Sequence, residues 1–398
     1  MPVTRKEIDA LRQAVATRFD VAPAAVRTVF APYRICPLGA HIDHQLGPVT
    51  SLAIDRGVLL AYASSESRRM HLESRDFPGE VCFSLDQVPR LRRGDWGNFP
   101  RGAVRALAAR YDLQAGIVGI TAGRLDGGGL SSSAAIGIAL LLALEDVNSL
   151  HVSPTENIRL HSRIENDYLG MRIGVLDQAS ILLARRGRLT RIQCATLAHD
   201  WITYPPTGPP FSILLAFSGL KQALTATDYN QRVTECSAAA RALLRASGRP
   251  GQTPLLGNVR AAEYDAYRNQ LDPISARRAR HFFTEVDRVA RGVEAWARGD
   301  LAEFGRLMTA SGASSIDNYE CGCPPLIELY RLLVRAPGVF GTRFSGAGFR
   351  GCCVALVDPA TSPDVGRDVL SAYQRAFPKL ADRADIVLCQ SDDGARSV

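Results

Sequence analysis

Apolar positions three and four apart open the chain. Ile8, Leu11, Ala14 and Val15 share one face of residues 5–18, and this spacing predicts an amphipathic helix. Similar periodicity predicts helices over 101–111, 275–298, 324–335 and 362–376, the second of them long and rich in arginine. The stretch "SPTENIRLHSRIENDYLG", 153–170, carries its own punctuation. Ser153 and Glu156 form a capping-box start, Pro154 suits the first helical position, and Gly170 suits the end. A further apolar helix is predicted from about Ser132 onward. Shorter β-rich runs predict strands at 50–63, 115–122, 188–194, 211–217 and 351–358. Strands and helices mix without a strict βαβ rhythm, so the expected class is α+β. "HDWITYPPTGPP", 199–210, is polar and proline-rich, and marks the expected boundary between an N-terminal unit, 1–200, and a C-terminal unit, 201–398. No internal repeat is seen.

Composition narrows the partners. A chain of 398 residues has room for two lobes. Its net charge of +7 comes almost wholly from arginine, since Lys6, Lys221 and Lys379 are its lysines. No dense basic run with interleaved aromatics occurs, so nucleic acid is not an expected partner, whereas a modest positive field suits a small anionic substrate. The apolar run Ile136 to Leu144 is too short to span a bilayer. The N-terminal stretch is amphipathic rather than a signal peptide, so a cytoplasmic protein without membrane contact is expected. Nine cysteines without a C-x-x-C pair read as reduced, mostly buried thiols. The oligomeric state is left open.

Four segments carry candidate chemistry. "CPLGAHIDHQLG", 36–47, brings His41, Asp43 and His44 together, and its residues allow a metal site, a sugar site or a hydrated loop. "GGGLSSSA", 127–134, runs Gly127, Gly128 and Gly129 into Ser131, Ser132 and Ser133 ahead of an apolar helix. Free amides and the helix dipole at such a start attract phosphate. It is no Walker loop, because the required lysine is missing, and no G-x-S-x-G elbow. "GVLDQ" sets Asp177 after Gly174. "FSGAGFRG" matches G-x-G-x-x-G literally, but it precedes a strand-like run instead of opening a helix. A loop packed closely on a ligand or another backbone is the better reading.

In this order, the segments resemble the GHMP small-molecule kinases, and within them the galactokinase branch. "APYRICPLGAHIDH" at 31–44, "WGNFPRG" at 96–102, "GGGLSSSA", "GMRIGVLDQ" at 170–178 and "GTRFSGAGFRG" at 341–351 each match a motif of that branch, with Arg350 in place of a glycine. The resemblance implies a two-lobed fold, an S5-like N-terminal domain with a ferredoxin-like C-terminal domain, and the use of ATP and Mg²⁺ to phosphorylate a sugar at its anomeric hydroxyl. It assigns the catalytic pair to Arg34 and Asp177. Asp177 would accept or orient the proton, and Arg34 would offset charge on the transferring phosphoryl group. It assigns Mg²⁺ to Ser132 or Ser133 with Glu165, the adenine neighbourhood to Trp96, and the sugar hydroxyls to His41 and Asp43, with Gly174 and Tyr229 close by.

The departures bear on the substrate. Ala40 stands where galactokinases carry a glutamate facing the sugar's C6 hydroxyl, and His44 stands where they carry tyrosine. Alanine makes room and removes a negative charge, as a C6 carboxylate would require. "RICPLGAHIDHQ" is also similar to the corresponding segment of galacturonokinases, so the resemblance implies D-galacturonic acid as substrate. Arg172, in place of a usual proline, is the candidate partner of its carboxylate, with a solvated surface arginine as the alternative. A galactokinase of relaxed specificity is the runner-up. A silent sugar sensor is a further reading, disfavoured because Arg34, Asp177, Glu165 and the serine run are all present. A metal hydrolase built on the H-x-D-H run is the remaining alternative.

Overall fold

The computed structural model describes residues 3–123, 128–220, 228–349 and 351–398. Helix α1 (Arg5–Phe19) is followed by β1 (Arg27–Ile35), β2 (Pro48–Ser65), β3 (Arg69–Ser74), β4 (Glu80–Ser84), α2 (Asn98–Ala108) and β5 (Gly116–Ala122). The five strands lie in the order β1-β2-β5-β3-β4, antiparallel apart from the β3–β5 pair. Side chains alternate across this sheet. Val29, Ala31, Leu60 and Tyr62 enter the core beneath α3 (Ser132–Val147), while Phe30, Leu59, Ala61 and Ile120 pack against Ile8, Leu11 and Val15 of α1. Covered on both faces, β1 and β2 read as nearly continuous buried runs.

Helices α4 (Pro154–Ser162) and α5 (Leu176–Leu183) lead to β6 (Arg188–Gln193) and β7 (His199–Thr203). β6 pairs with the start of β2, and β7 pairs with β6. The polar stretch at 199–210 is therefore a strand in its first half. The chain's last strands also return here, β12 (Ser391–Asp392) to β2 and β13 (Arg396–Ser397) to β1. Strands of the first sheet thus come from both sides of residue 200.

The second sheet contains β8 (Ser212–Phe217), β9 (Val339–Phe344), β10 (Cys352–Val357) and β11 (Asp385–Cys389) in the order β11-β8-β10-β9, all antiparallel. Numbered along the chain this is 4-1-3-2, the ferredoxin-like order. Helices α6 (Tyr229–Ala246), α7 (Ala261–Tyr267), α8 (Pro273–Ala297), α9 (Leu301–Asp317), α10 (Pro324–Arg335) and α11 (Ser362–Ala376) accompany it. The α+β class and the two-lobed arrangement match the sequence expectation.

Strand β1 escaped the pattern because Pro32 and Arg34 interrupt its apolar run. The structure absorbs both with a register shift between Pro32 and Arg34, against Gly57 and Ala53 of β2. Such bulges turn a side chain out of the pleat, and here they bring Arg34 to the cavity described below.

Helix α9 lies directly on β9. A Cβ on Gly305 would stand 2.0 Å from the Phe340 carbonyl oxygen. Backbone cannot rotate away as a side chain can, so Gly305→Ala is expected to lower stability by about 1–3 kcal/mol. Urea unfolding checks this, and an unchanged midpoint would show that α9 slides at no cost.

Candidate active site

Strand β1, the segment after it, the start of α3, the turn before α5 and the β9–β10 loop enclose a cavity of about 180 Å³. Arg34 reaches it from β1 with only 2% of its surface exposed. Its Nε and Nη2 both donate to Asp177 Oδ1, at 2.7 and 2.6 Å, and leave Oδ2 open among the described residues. Its Nη1 points to the Gly129 carbonyl at 3.4 Å. Asp177 lies in the first turn of α5.

The glycine–serine segment forms the next wall. Gly128 and Gly129 have φ of 71° and 83°, a region costly for other residues. A Cβ on Gly346 would sit 2.8 Å from Gly129 O, and one on Gly351 would sit 2.8 Å from Gly128 O. The two glycine loops therefore lie backbone on backbone, and Ser345 Oγ donates to Gly129 O at 2.8 Å. This is the role of the misleading G-x-G-x-x-G. Ser131 is left-handed, φ 61°, and its buried hydroxyl has no partner among the described residues. Beside it the first amides of α3 are unsatisfied by the helix, and Ser132 and Ser133 line the same wall. An anion with several acceptor oxygens fits this cradle. Gly127 and Arg350 lie outside the described residues.

Glu165 stands behind Ser133. Helix α4 continues into a π-helical turn, Arg163–Tyr168, and π turns often mark functional positions. Burial, with Asp177 nearby, pushes the Glu165 carboxyl up to about 8, although a hydrogen bond with Ser133 opposes the shift. Burial and Asp177 likewise push Asp43 up to about 6. Serine hydroxyls beside a buried carboxyl make an all-oxygen donor set of the kind a hard divalent cation takes, and a cation there would favour the ionised form.

Ala40, His41, Asp43, Gly174 and Tyr229 form the opposite wall. Gly174 has no room for a side chain, since its Cβ would lie 2.3 Å from Asp43 Oδ2. His41 is left-handed, φ 65°, and stacks on Tyr319. Such strain concentrates at functional sites. Helix α8 grips this segment from behind. Glu285 accepts the Gly39 N–H at 2.8 Å, and His281 Nε2 lies 3.0 Å from the Ala40 carbonyl. Glu285 is fully buried between Arg288, at 2.6 Å, and Arg343, at 3.6 Å. Burial alone would raise its carboxyl, but Arg288, His281 and Arg343 overcome that and hold it below the ordinary range.

Three candidates fall outside the cavity wall. Glu165 is one shell back. Trp96 is buried at the entry to α2 against Phe77, ring centroids 6.5 Å apart. Arg172 is exposed and donates to Thr234 Oγ1 on α6 at 2.9 Å, so its surface reading matches its placement better. Sequence reasoning missed His281, Glu285, Tyr319 and Arg343, which lie far along the chain from the segment they support. A signal existed in α8: His281 and Glu285, four apart, interrupt the apolar face that carries Phe282 and Val289. The histidines outside the site also held a surprise. His71 approaches Glu73 and Glu80 within metal-binding reach. Arg18 pairs with both glutamates, which reads as an ion-pair network on the surface.

Known proteins resemble the chain over nearly its whole length. Residues 98–185 match the model of the GHMP kinases N terminal domain, and residues 293–378 match the GHMP kinases C terminal model. The chain is 48% identical to the galacturonokinase of Arabidopsis thaliana, over 99% of this chain and 98% of that one. It is 33% identical to a galactokinase of Roseiflexus sp. (strain RS-1), over 98% and 96%. The crystal structure of Lactococcus lactis galactokinase complexed with galactose superposes with a TM-score of 0.89 at 29% identity, covering 98% of this chain and all of that one. No helix among the described residues is long and apolar enough to cross a membrane.

The shifted carboxyls set a pH signature. Glu165 is raised to about 8 and Glu145, by burial, to about 7. An acid with a raised folded value favours the fold while protonated and loses that contribution as pH rises through it. The buried imidazoles of His41, His44, His161 and His281 are lowered by burial, so their contribution is complete above about 6.5. The melting temperature of the unliganded protein should therefore fall between about pH 6.5 and 8.5, and Glu165→Gln should flatten part of that fall. Differential scanning calorimetry checks this; a rising Tm across the window would contradict it.

Proposed function

The chain belongs to the GHMP kinases, and on that premise we propose that it transfers the γ-phosphoryl group of ATP to the anomeric hydroxyl of D-galacturonic acid, giving galacturonate 1-phosphate. The observation that carries the substrate is the uncharged wall at Ala40, 4% exposed and lining the cavity. Full-length identity of 48% to a galacturonokinase supports the same reading. A glutamate at this wall would face a sugar carboxylate as a like charge. At about 4 Å and an effective dielectric near 20, that costs on the order of 4 kcal/mol.

Each residue then has a task. The open Oδ2 of Asp177 accepts or orients the proton of the anomeric hydroxyl, while Arg34 holds Oδ1 and brings its own charge toward the phosphate wall. The amides at the start of α3 and the unpartnered Ser131 hydroxyl bind the nucleotide's phosphates. His41, Asp43, Gly174 and Tyr229 orient the sugar. Ser132 or Ser133 with Glu165 would hold Mg²⁺, which when bound offsets charge on the phosphates. A cytoplasmic setting is part of this reading, supported by nine cysteines that all stand as free thiols.

Two substitutions separate chemistry from specificity. Asp177→Asn should reduce sugar-dependent ATP consumption by about 10²–10⁴ while leaving nucleotide binding nearly intact. Near-normal turnover would remove Asp177 from the mechanism. Ala40→Glu should shift relative kcat/KM from galacturonate toward galactose by about 30- to 1,000-fold, which is roughly 2–4 kcal/mol after solvent screening. An unchanged ratio would mean that residue 40 does not face the carboxylate.

A further inference from the structure

Three imidazoles crowd the wall at Ala40. His41 and Tyr319 stack with centroids 4.4 Å apart, and the His281 ring lies 5.9 Å from His41. Two of the three rings are occupied at both nitrogens. His281 faces the Ala40 carbonyl and Ser314 Oγ, each at 3.0 Å. His44 faces Tyr319 OH at 3.1 Å and Gln45 Nε2 at 3.0 Å. His41 differs. Its Nε2 lies 3.6 Å from Cys321 Sγ, its Nδ1 has no partner among the described residues, and the residue lines the cavity.

The groups that disfavour a proton on this ring are two arginine charges and two neighbouring imidazoles, themselves kept neutral by burial. Arg343 approaches from β9, Arg34 from β1, His281 from α8 and His44 from its own segment; burial and these groups keep the free ring neutral. Tyr319 and Cys321, from the turn after α9, are held protonated by burial. The acids nearby are engaged elsewhere. Asp177 holds Arg34, Glu285 holds Arg288 and the Gly39 amide, and Asp43 lies against Gly174 and accepts the Leu176 N–H at 3.4 Å. A substrate carboxylate must avoid Asp43 and Asp177, and Ala40 and His41 offer it an uncharged stretch of the sugar wall with an unpartnered ring nitrogen.

We infer that His41 is the specificity-determining residue for the sugar acid, binding its carboxylate as an imidazolium that takes one proton from solvent as the substrate enters. An uncharged hexose leaves the ring neutral. An anion in hydrogen-bond reach stabilises the charged ring, and so reverses the balance that keeps the free ring unprotonated. The inference rests on the reading of the substrate as a hexuronic acid. It carries a pH law: wherever the free ring is neutral and the bound ring is an imidazolium, galacturonate binding weakens about tenfold per pH unit, levelling off once the bound ring also loses its proton, and galactose binding shows no such slope.

Calorimetry of galacturonate binding at pH 7.5, in buffers of differing ionisation enthalpy, counts the protons. Uptake of close to one proton by the wild type, falling to near zero in His41→Asn, is expected. Zero uptake by the wild type would overturn the inference, and so would uptake that persists in His41→Asn. If that variant binds too weakly to measure, ring-labelled histidine NMR of the wild type decides. The His41 signal, assigned by its absence from the variant's spectrum, should move to the imidazolium position on saturation with galacturonate and stay put with galactose. A signal that does not move overturns the inference. Turnover of galacturonate without proton uptake sinks this inference alone, whereas a protein that neither binds nor phosphorylates galacturonate sinks the substrate reading with it.

Discussion

The ion pair between Arg34 and Asp177 joins a strand of the first sheet to the first turn of α5, and the rest of the site is arranged around it. Arg34 is almost wholly buried, so its charge must be met within the protein. Losing one partner of a buried pair costs about 3–5 kcal/mol, because the other charge is left behind. The geometry makes the pair more than structural. Two nitrogens converge on one carboxylate oxygen, the other oxygen stays open, and the third nitrogen leans to the phosphate wall. One guanidinium thereby sets the position of a base relative to an anion cradle.

Two further constraints keep that arrangement in register. The cradle is held by glycine against glycine, so a single Cβ at Gly346 or Gly351 would push the phosphate wall out of place. The sugar wall is held by α8, where Glu285 and His281 hold the backbone of Gly39 and Ala40. Glu285 can serve this way because Arg288 and Arg343 pair with it inside the core. The wall is thus uncharged at Ala40 and His41, with Asp43 as the acid beside them, and an uncharged stretch there leaves room for a substrate that brings its own negative charge.

Much of this was legible along the chain, for physical reasons that differ by element. Helix α1, the capped start of α4 and the apolar strand β10 show their periodicity or caps plainly. The segments at 31–44, 127–134 and 170–178 announce themselves because close backbone approach demands glycine. Strand β1 did not, since its proline and arginine break the run and only a bulge reconciles them. Strand β7 hid in a polar, proline-rich stretch because it is an edge strand and only half buried. The residues behind the sugar wall were hidden for another reason. His281, Glu285, Tyr319 and Arg343 act through contacts across the whole fold, which no local pattern encodes. Arg172 left two readings open along the chain, a carboxylate partner or a surface arginine, because a motif position does not say where a long side chain lies; here it donates to Thr234 on α6.

The central claim is that a neutral wall at Ala40, facing a base held by Arg34, makes this chain a 1-kinase for a sugar acid. The most direct measurement is kcat/KM of the unmodified enzyme for galacturonate, glucuronate, galactose and glucose, with ³¹P NMR to place the phosphate on the product. The account requires galacturonate to be the best substrate and the phosphate to sit on its anomeric oxygen. Galactose used at least as efficiently as galacturonate, or phosphate found on another hydroxyl, would contradict it.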